Sequence, residues 1–269
     1  MTGAMKTLVF DLKGSFAHFR KFYSNSTSLS YEFPPRTTVC GIVAAILGLA
    51  RDSYYELFQE NDAFVAVQIL CPTKRISQTV NYMWVKYPRD LNGSGGHMQI
   101  PVEWVVREEG IGSGLIGYRI YFAHRDRSLQ DRLAKLLRNG QACYPPYLGI
   151  TEALATAEFV CEAEADEVIS DGRPVEIASV CPIHLLKDIT YLPFGNKQRL
   201  YMRDRIPCSF DRHRKLAGIT QVIYEPKGQD VVANPKSSYA QLFIDNKPVR
   251  ILPLISEQTG RGAHVLLSS

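Results

Sequence analysis

Apolar and polar positions alternate through residues 6–12, KTLVFDL, which predicts a first β-strand. Residues 13–33, KGSFAHFRKFYSNSTSLSYEF, mix polar and aromatic side chains without a period and read as a long ordered loop. Apolar residues then fall at 39, 42, 43, 46, 47 and 50, the spacing of a helix face. Gly41, Ala44, Ala45 and Gly48 line its other side, so this helix is expected to pack on both. A second short helix is expected over 52–59, and AFVAVQIL (63–70) reads as a buried strand stopped by Cys71-Pro72.

Residues 75–107 predict a long hairpin. RISQTVNYMWVKYP and QIPVEWVVRE are strand-like, and the glycine-rich RDLNGSGGHM lies between them. LIGYRIYFAH (115–124) is another strand. DRSLQDRLAKLLRNG (126–140) is a helix, with Asp126 or Ser128 as cap, a stripe of Leu129, Leu133, Leu136 and Leu137, and Gly140 as its end. A strand near 157–162 would close an α+β, ferredoxin-like module with the hairpin as an insertion. The predicted division is thus 1–156, followed by a small, mostly β region over 157–269. Charge changes along that second region. Residues 158–176 hold seven acids against Arg173, whereas 197–215, KQRLYMRDRIPCSFDRHRK, hold seven cations against Asp204 and Asp211.

The formal charge of +4 is only mildly basic, so a polyanion site must come from local clustering. The longest apolar run, 39–50, is shorter than the roughly 20 residues that cross a bilayer, and MTGAMKTLVF is unlike a signal peptide. A cytoplasmic protein without a membrane partner is expected, with Met5 as an alternative start. The six cysteines form no C-x-x-C pair and the histidines are scattered, so reduced core thiols are expected and no metal or cofactor is implied.

GSGLIG (112–117) fits a dinucleotide-binding pattern, but a strand-like run follows it where that pattern requires a helix. No Walker lysine and no G-x-S-x-G occur. More informative is FPPRTT (33–38). It sets Arg36, Thr37 and Thr38 at the start of the first helix, where free N–H groups and the helix dipole favour an anion and either threonine can cap. The preceding loop adds Lys13, Arg20 and Lys21 among Phe16, Phe19, Phe22 and Tyr23. Cations suit phosphates and aromatic faces suit unstacked bases, so single-stranded nucleic acid leads. A protein scaffold and a small-molecule enzyme remain as alternatives.

FDLKGSFAHFRKF (10–22), YEFPPRTTVCGIVAAILGLARDSYYELF (31–58) and PPYLGITEA (145–153) resemble the N-terminal half of the CRISPR-associated Cas-five family, RAMP-type subunits of type I Cascade complexes, closest in flavour to type I-B. The resemblance covers residues 5 to about 155. It implies an RRM-like RAMP domain whose hairpin 75–107 is a "thumb". It also implies a non-catalytic subunit that caps the 5′ handle of the guide RNA (crRNA) in antiviral defence, bridging a backbone subunit and a large subunit, with target DNA near the PAM as a further candidate partner. Carried onto this sequence, the RNA contacts are Arg36, Thr37, Thr38 and Arg20, with Lys86, Arg89, His97 and Met98 near the thumb tip. The basic stretch 197–215 is open to RNA, DNA or protein. A type I-C branch cleaves its precursor RNA with a tyrosine beside a Lys-His pair. No Lys-His dipeptide occurs here, and a metal-independent endoribonuclease using His18, Tyr23 or His97 stays the alternative.

Overall fold

The computed structural model describes residues 4–24, 26–190 and 199–258. The chain runs through β1 (Met5–Gly14), two short strands β2 (Phe19–Arg20) and β3 (Ser30–Tyr31), and helix α1 (Arg36–Leu47). It continues through β4 (Ala63–Ile69), β5 (Thr73–Met83), β6 (His97–Arg107), β7 (Ile116–His124) and helix α2 (Arg127–Arg138). Then follow β8 (Ala155–Ile169), β9 (Val175–Ile177), β10 (Cys181–Pro182), β11 (Leu186–Ile189), β12 (Met202–Phe210), β13 (Leu216–Tyr224), β14 (Val231–Pro235), β15 (Ser238–Ile244) and β16 (Lys247–Ile251). The chain is mostly β, with two α-helices among the described residues.

Six strands form one antiparallel sheet in the order β16-β15-β8-β1-β7-β4. α1 carries the chain from β1 toward β4, and α2 from β7 to β8. Successive side chains of a strand point to opposite faces, and β1 divides accordingly. Leu8, Phe10 and Leu12 join the core with α1 and α2. Met5 and Val9 join a second core with Ile177, Cys181, Ile223 and Val231 from the C-terminal strands. Both faces of the central strands are therefore covered, which explains apolar runs such as AFVAVQI in place of strict alternation. β4 ends the sheet order, yet its outer edge is not bare. Val67 O accepts from Val180 N, and Val65 O accepts from Leu254 N.

The described C-terminal residues pair with and pack against the N-terminal elements. The division expected at 156/157 falls inside β8, which pairs with β1 and then with β15. Ile206, Cys208, Val222 and Tyr224 lie in the same core as α1. Burial of strands from the end of the chain against a helix near its start leaves no signature in local pattern.

Other expectations change at the local level. α2 is capped as anticipated: Asp126 accepts from Ser128 N and Leu129 N. α1 has no side-chain cap. Its boundary residue is Pro35, whose carbonyl accepts from Thr38 N and Val39 N. Thr37 and Thr38 are already inside the first turn, so neither can cap. Residues 52–59 form successive turns instead of a helix, with Asp52 at φ 62°. The 13–33 loop contains the β2–β3 ribbon, tied to β6 by bridges Ala17–Val105 and Ser28–Val102.

β5 and β6 pair from Thr73–Arg107 to Met83–His97, a hairpin slightly longer than expected. Its base is clamped by Arg75, whose Nε donates to Glu32 Oε1 at 3.0 Å and whose Nη1 lies 3.6 Å from Glu103 Oε2. Its outer half is exposed. The glycine-rich GSGLIG segment is a turn-rich link from β6 into β7, with no helix after it.

Candidate nucleic-acid interface

The first helix begins where the sequence places a cation, but that cation is not offered to a ligand. Arg36 is 1% exposed. Its Nη1 donates to Phe58 O and Cys208 O, both at 2.9 Å. Its Nη2 donates to Gln59 O at 3.1 Å and Ala63 O at 2.8 Å. Arg36 therefore joins three segments, α1, the turns that lead into β4, and β12, and the expectation that it contacts RNA is corrected. A rigid guanidinium fork can satisfy several carbonyls at once. Its donors supplement the turns' own backbone bonds, in which Gln59 O also accepts from Asp62 N and Ala63 N.

A cavity of about 380 Å³ opens beside the same helix end. Thr37, Thr38, Gly41, Ile42 and Ala45 of α1 line one part. Phe19, Arg20 and Phe22 reach it from the β2 region, Tyr54 and Tyr55 from the turns, and Pro145, Pro146, Tyr147 and Gly149 from the segment before β8. Pro207, Phe210 and Arg214 complete it from β12 and the turn after it. Three sequence-expected residues, Arg20, Thr37 and Thr38, are thus brought together. Tyr54, Tyr55, Tyr147, Phe210 and Arg214 were not singled out. Tyr54 and Tyr55 were assigned to a helix that does not form, and Arg214 was only one of seven cations in a stretch.

Gly149 shows how closely the wall is built. It has φ +92°, and a Cβ there would lie 2.1 Å from His18 O. Only glycine lets the PPYLG segment pass against the β2 ribbon. Tyr54 and Tyr55 meet at 4.9 Å between ring centroids, and Tyr55 meets Phe210 edge-on at 5.6 Å. Burial raises the Tyr54 hydroxyl above its usual range, so it stays a neutral donor at physiological pH.

Phe22 of the cavity lining and the adjacent Tyr23 are 39% and 40% exposed. The Arg205 guanidinium lies over both rings, at 5.4 and 5.5 Å. Lys21 is not available to an anion, because it pairs with Asp204 at 2.6 Å in a buried setting. Lys13 is likewise engaged with Glu158 at 2.7 Å. Arg20 is exposed, with no carboxylate within ion-pair distance among the described residues. The free positive charge of this loop is therefore Arg20 rather than all three cations.

The other expected contacts form a separate cluster. Lys86, Arg89, His97 and Met98 sit at the far end of the β5–β6 hairpin, eight residues along β6 from the Ala17–Val105 bridge at its base, or about 26 Å at strand rise. The tip is preordered: Asp90 Oδ2 accepts from Lys86 N at 3.0 Å and Tyr87 N at 2.8 Å. Lys86 Nζ and the Arg89 guanidinium flank the Tyr87 ring at 5.6 and 5.0 Å. Tyr82, Met83, Trp84, Val85, Tyr87 and Leu91 are all exposed there. The tip is therefore a cationic and aromatic surface whose one acid faces inward.

The candidate acid–base groups are not assembled. His18 is 4% exposed, with Nδ1 2.7 Å from Glu103 O and Nε2 2.9 Å from Ser28 Oγ, and burial lowers its pKa. The Tyr23 hydroxyl donates to Asp204 Oδ1 at 2.8 Å, and its pKa is pushed up to about 12 by burial and by that carboxylate. His97 is at the hairpin tip, remote from both. Among the described residues, four of the seven acids of the acidic stretch lie in ion pairs: Glu158 with Lys13, Glu162 with Lys6 and Arg138, Asp171 with Arg173, and Glu176 with Arg199. Of the basic stretch, Lys197 lies outside the described residues, and Arg212, Arg214 and Lys215 are exposed at the β12–β13 turn. No helix among the described residues is long and apolar enough to cross a membrane.

Residues 7–92 match the family described as CRISPR-associated protein (Cas_Cas5). No curated protein matches the chain. Among solved structures, a CRISPR protein from Archaeoglobus fulgidus is 13% identical, with 91% of this chain and 99% of that chain covered at a TM-score of 0.53, which shows the fold. A chain of the Type III-B Cmr-beta complex bound to cognate target RNA and AMPPnP is 12% identical over 84% of this chain and 86% of that one, at a TM-score of 0.45. A chain of a CRISPR RNA-guided surveillance complex is 12% identical over 86% and 91%, at 0.41.

Proposed function

We propose, on the premise that the chain belongs to the CRISPR-associated Cas5 family, that it is a non-catalytic subunit of a CRISPR ribonucleoprotein complex and binds the 5′ handle of the guide RNA. One observation carries the reading. The three segments that resemble the family are 10–22, 31–58 and 145–153; the third is distant in sequence from the first two, yet all three line the same cavity. That cavity has an exposed arginine and aromatic walls, the chemistry that unstacked, single-stranded RNA requires.

The sheet order β8-β1-β7-β4 with helical crossovers α1 and α2 supports a ferredoxin-like RAMP domain, with β15 and β16 added at one edge. The β5–β6 hairpin is then the thumb. Its tip, with Lys86, Arg89, His97 and Met98 among exposed aromatic residues, fits a junction between RNA and the neighbouring backbone subunit. The exposed cations Arg212 and Lys215 suit contact with a large subunit or with target DNA near the PAM. A cytoplasmic location follows from this role. The burial of His18, with both ring nitrogens hydrogen-bonded, and the Tyr23 hydroxyl engaged by Asp204 support a binding role over cleavage, because a general acid or base must reach the proton it transfers.

The test combines two readouts on the same samples of purified chain, labelled repeat RNA and EDTA. A binding titration against salt is expected to show a steep loss of affinity, and Arg20→Ala to reduce the slope by roughly 0.7, the loss of one phosphate contact on a single strand. A denaturing gel is expected to show intact RNA. A discrete cut within the repeat would replace this reading with the endoribonuclease, and absence of binding would replace it with the protein scaffold.

A further inference from the structure

We infer that the cavity beside α1 takes one unstacked nucleotide, with its base among the aromatic rings and its phosphate on Arg214 in place of Asp52. This rests on the reading that the chain binds RNA and adds where, how many nucleotides, and what the phosphate displaces.

The volume sets the stoichiometry. About 380 Å³ lies near the lower end of small-ligand pockets, enough for a single nucleotide and too little for a stacked run or a duplex. The walls set the ligand class. Tyr54, Tyr55 and Phe210 form a connected ring cluster, and Tyr147, 40% exposed, stands on the PPYLG segment. Every base has a face that stacks on such rings. The rim sets the charge. Arg20 and Arg214 both line the cavity, and a nucleotide carries one negative phosphate group to meet them.

Arg214 is not idle without RNA. Its Nη1 lies 3.7 Å from Asp52 Oδ1, with the two side chains 57% and 46% exposed. That separation exceeds hydrogen-bond length, and an exposed pair of this kind is weak. Asp52 is itself held in place, because Tyr55 Oη donates to its Oδ1. The carboxylate therefore keeps Arg214 near the mouth while competing for it, and a phosphate with hydrogen-bonding geometry would replace it. Asp52 has φ 62°, a conformation that asparagine adopts as readily as aspartate, so Asp52→Asn removes the charge and keeps the turn.

The experiment is fluorescence anisotropy with the full chain and a short repeat-derived RNA, in which single abasic positions are scanned. Circular dichroism checks that each variant is folded. Loss of one particular base is expected to weaken wild-type binding roughly ten-fold, and to weaken Tyr147→Ala far less. Arg214→Gln is expected to weaken binding several-fold and Asp52→Asn to strengthen it. Tight RNA binding in which no single base matters, or in which Asp52→Asn leaves affinity unchanged or lower, overturns the inference and leaves the RNA-binding reading standing. No binding of RNA by the wild type overturns both.

Discussion

Replacing Arg36 tests whether the cation at the start of α1 serves the fold or the proposed RNA ligand. Its four donated hydrogen bonds span 2.8–3.1 Å and end on Phe58, Gln59, Ala63 and Cys208 carbonyls. A hydrogen bond from a charged donor contributes about 1.5–3 kcal/mol, but the four cannot be summed, because burying the guanidinium itself costs several kcal/mol. Arg36→Met leaves four neutral carbonyls short of a donor, at about 1–3 kcal/mol for each that finds no other, so a loss of about 3–5 kcal/mol is expected for this variant, which keeps most of the side-chain length. At about 2–4 °C per kcal/mol for a chain of this size, Tm should fall by roughly 6–20 °C. Arg36→Lys should lie between, since one ammonium has three donors and no fork for four carbonyls. The assay is thermal unfolding by circular dichroism, with RNA titration of each variant well below its Tm. Folded Arg36→Met should bind RNA as the wild type does. The reasoning is refuted if Arg36→Met keeps its Tm within about 2 °C, at most about 1 kcal/mol on that scale, and loses RNA affinity. Arg36 would then be a ligand contact despite its burial.

Other outcomes follow from the same geometry. Gly149→Ala sets a Cβ 2.1 Å from His18 O at φ +92°, so both the PPYLG segment and the cavity wall must move. Reduced Tm and reduced RNA affinity are expected together, and an unchanged Tm would show that the segment is not clamped. Asp126→Ala removes the side chain that accepts from Ser128 N and Leu129 N, and should cost about 1 kcal/mol in denaturant unfolding. His18 is buried with its pKa lowered, so the unfolded chain binds its proton first. That contribution to stability is complete above the unfolded value of about 6.5 and is lost as pH falls through the lower folded value. The Tm drop between pH 7.5 and 5.5 should therefore be smaller in His18→Gln than in the wild type, and an equal drop would mean that His18 does not titrate as its burial requires.

The elements with long, regular patterns were legible in the sequence: β1, β4, β7, both helices and the β5–β6 hairpin. Each is specified by its own residues, through period, caps and turn glycines, and needs no knowledge of what lies across the molecule. The convergence on one site was half legible. Arg20, Thr37 and Thr38 were identified by residue type and do line the cavity. Arg36 was misassigned by the same argument, because a cation at a helix end reads alike whether it faces an anion or the carbonyls of strands and turns contributed by other parts of the chain. Residues 52–59 had helical composition, yet they turn, and the Phe58 and Gln59 carbonyls at their end bond to that buried arginine. The β-rich C-terminal region was legible as strands, but not as part of the same fold. β15 extends the sheet through β8, and β12 lies against α1. Sequence determines which face of a segment must be buried. Only the tertiary structure decides what buries it, because apolar attraction carries no address and the partner is fixed by packing and by hydrogen bonds between residues as distant as Arg36 and Cys208.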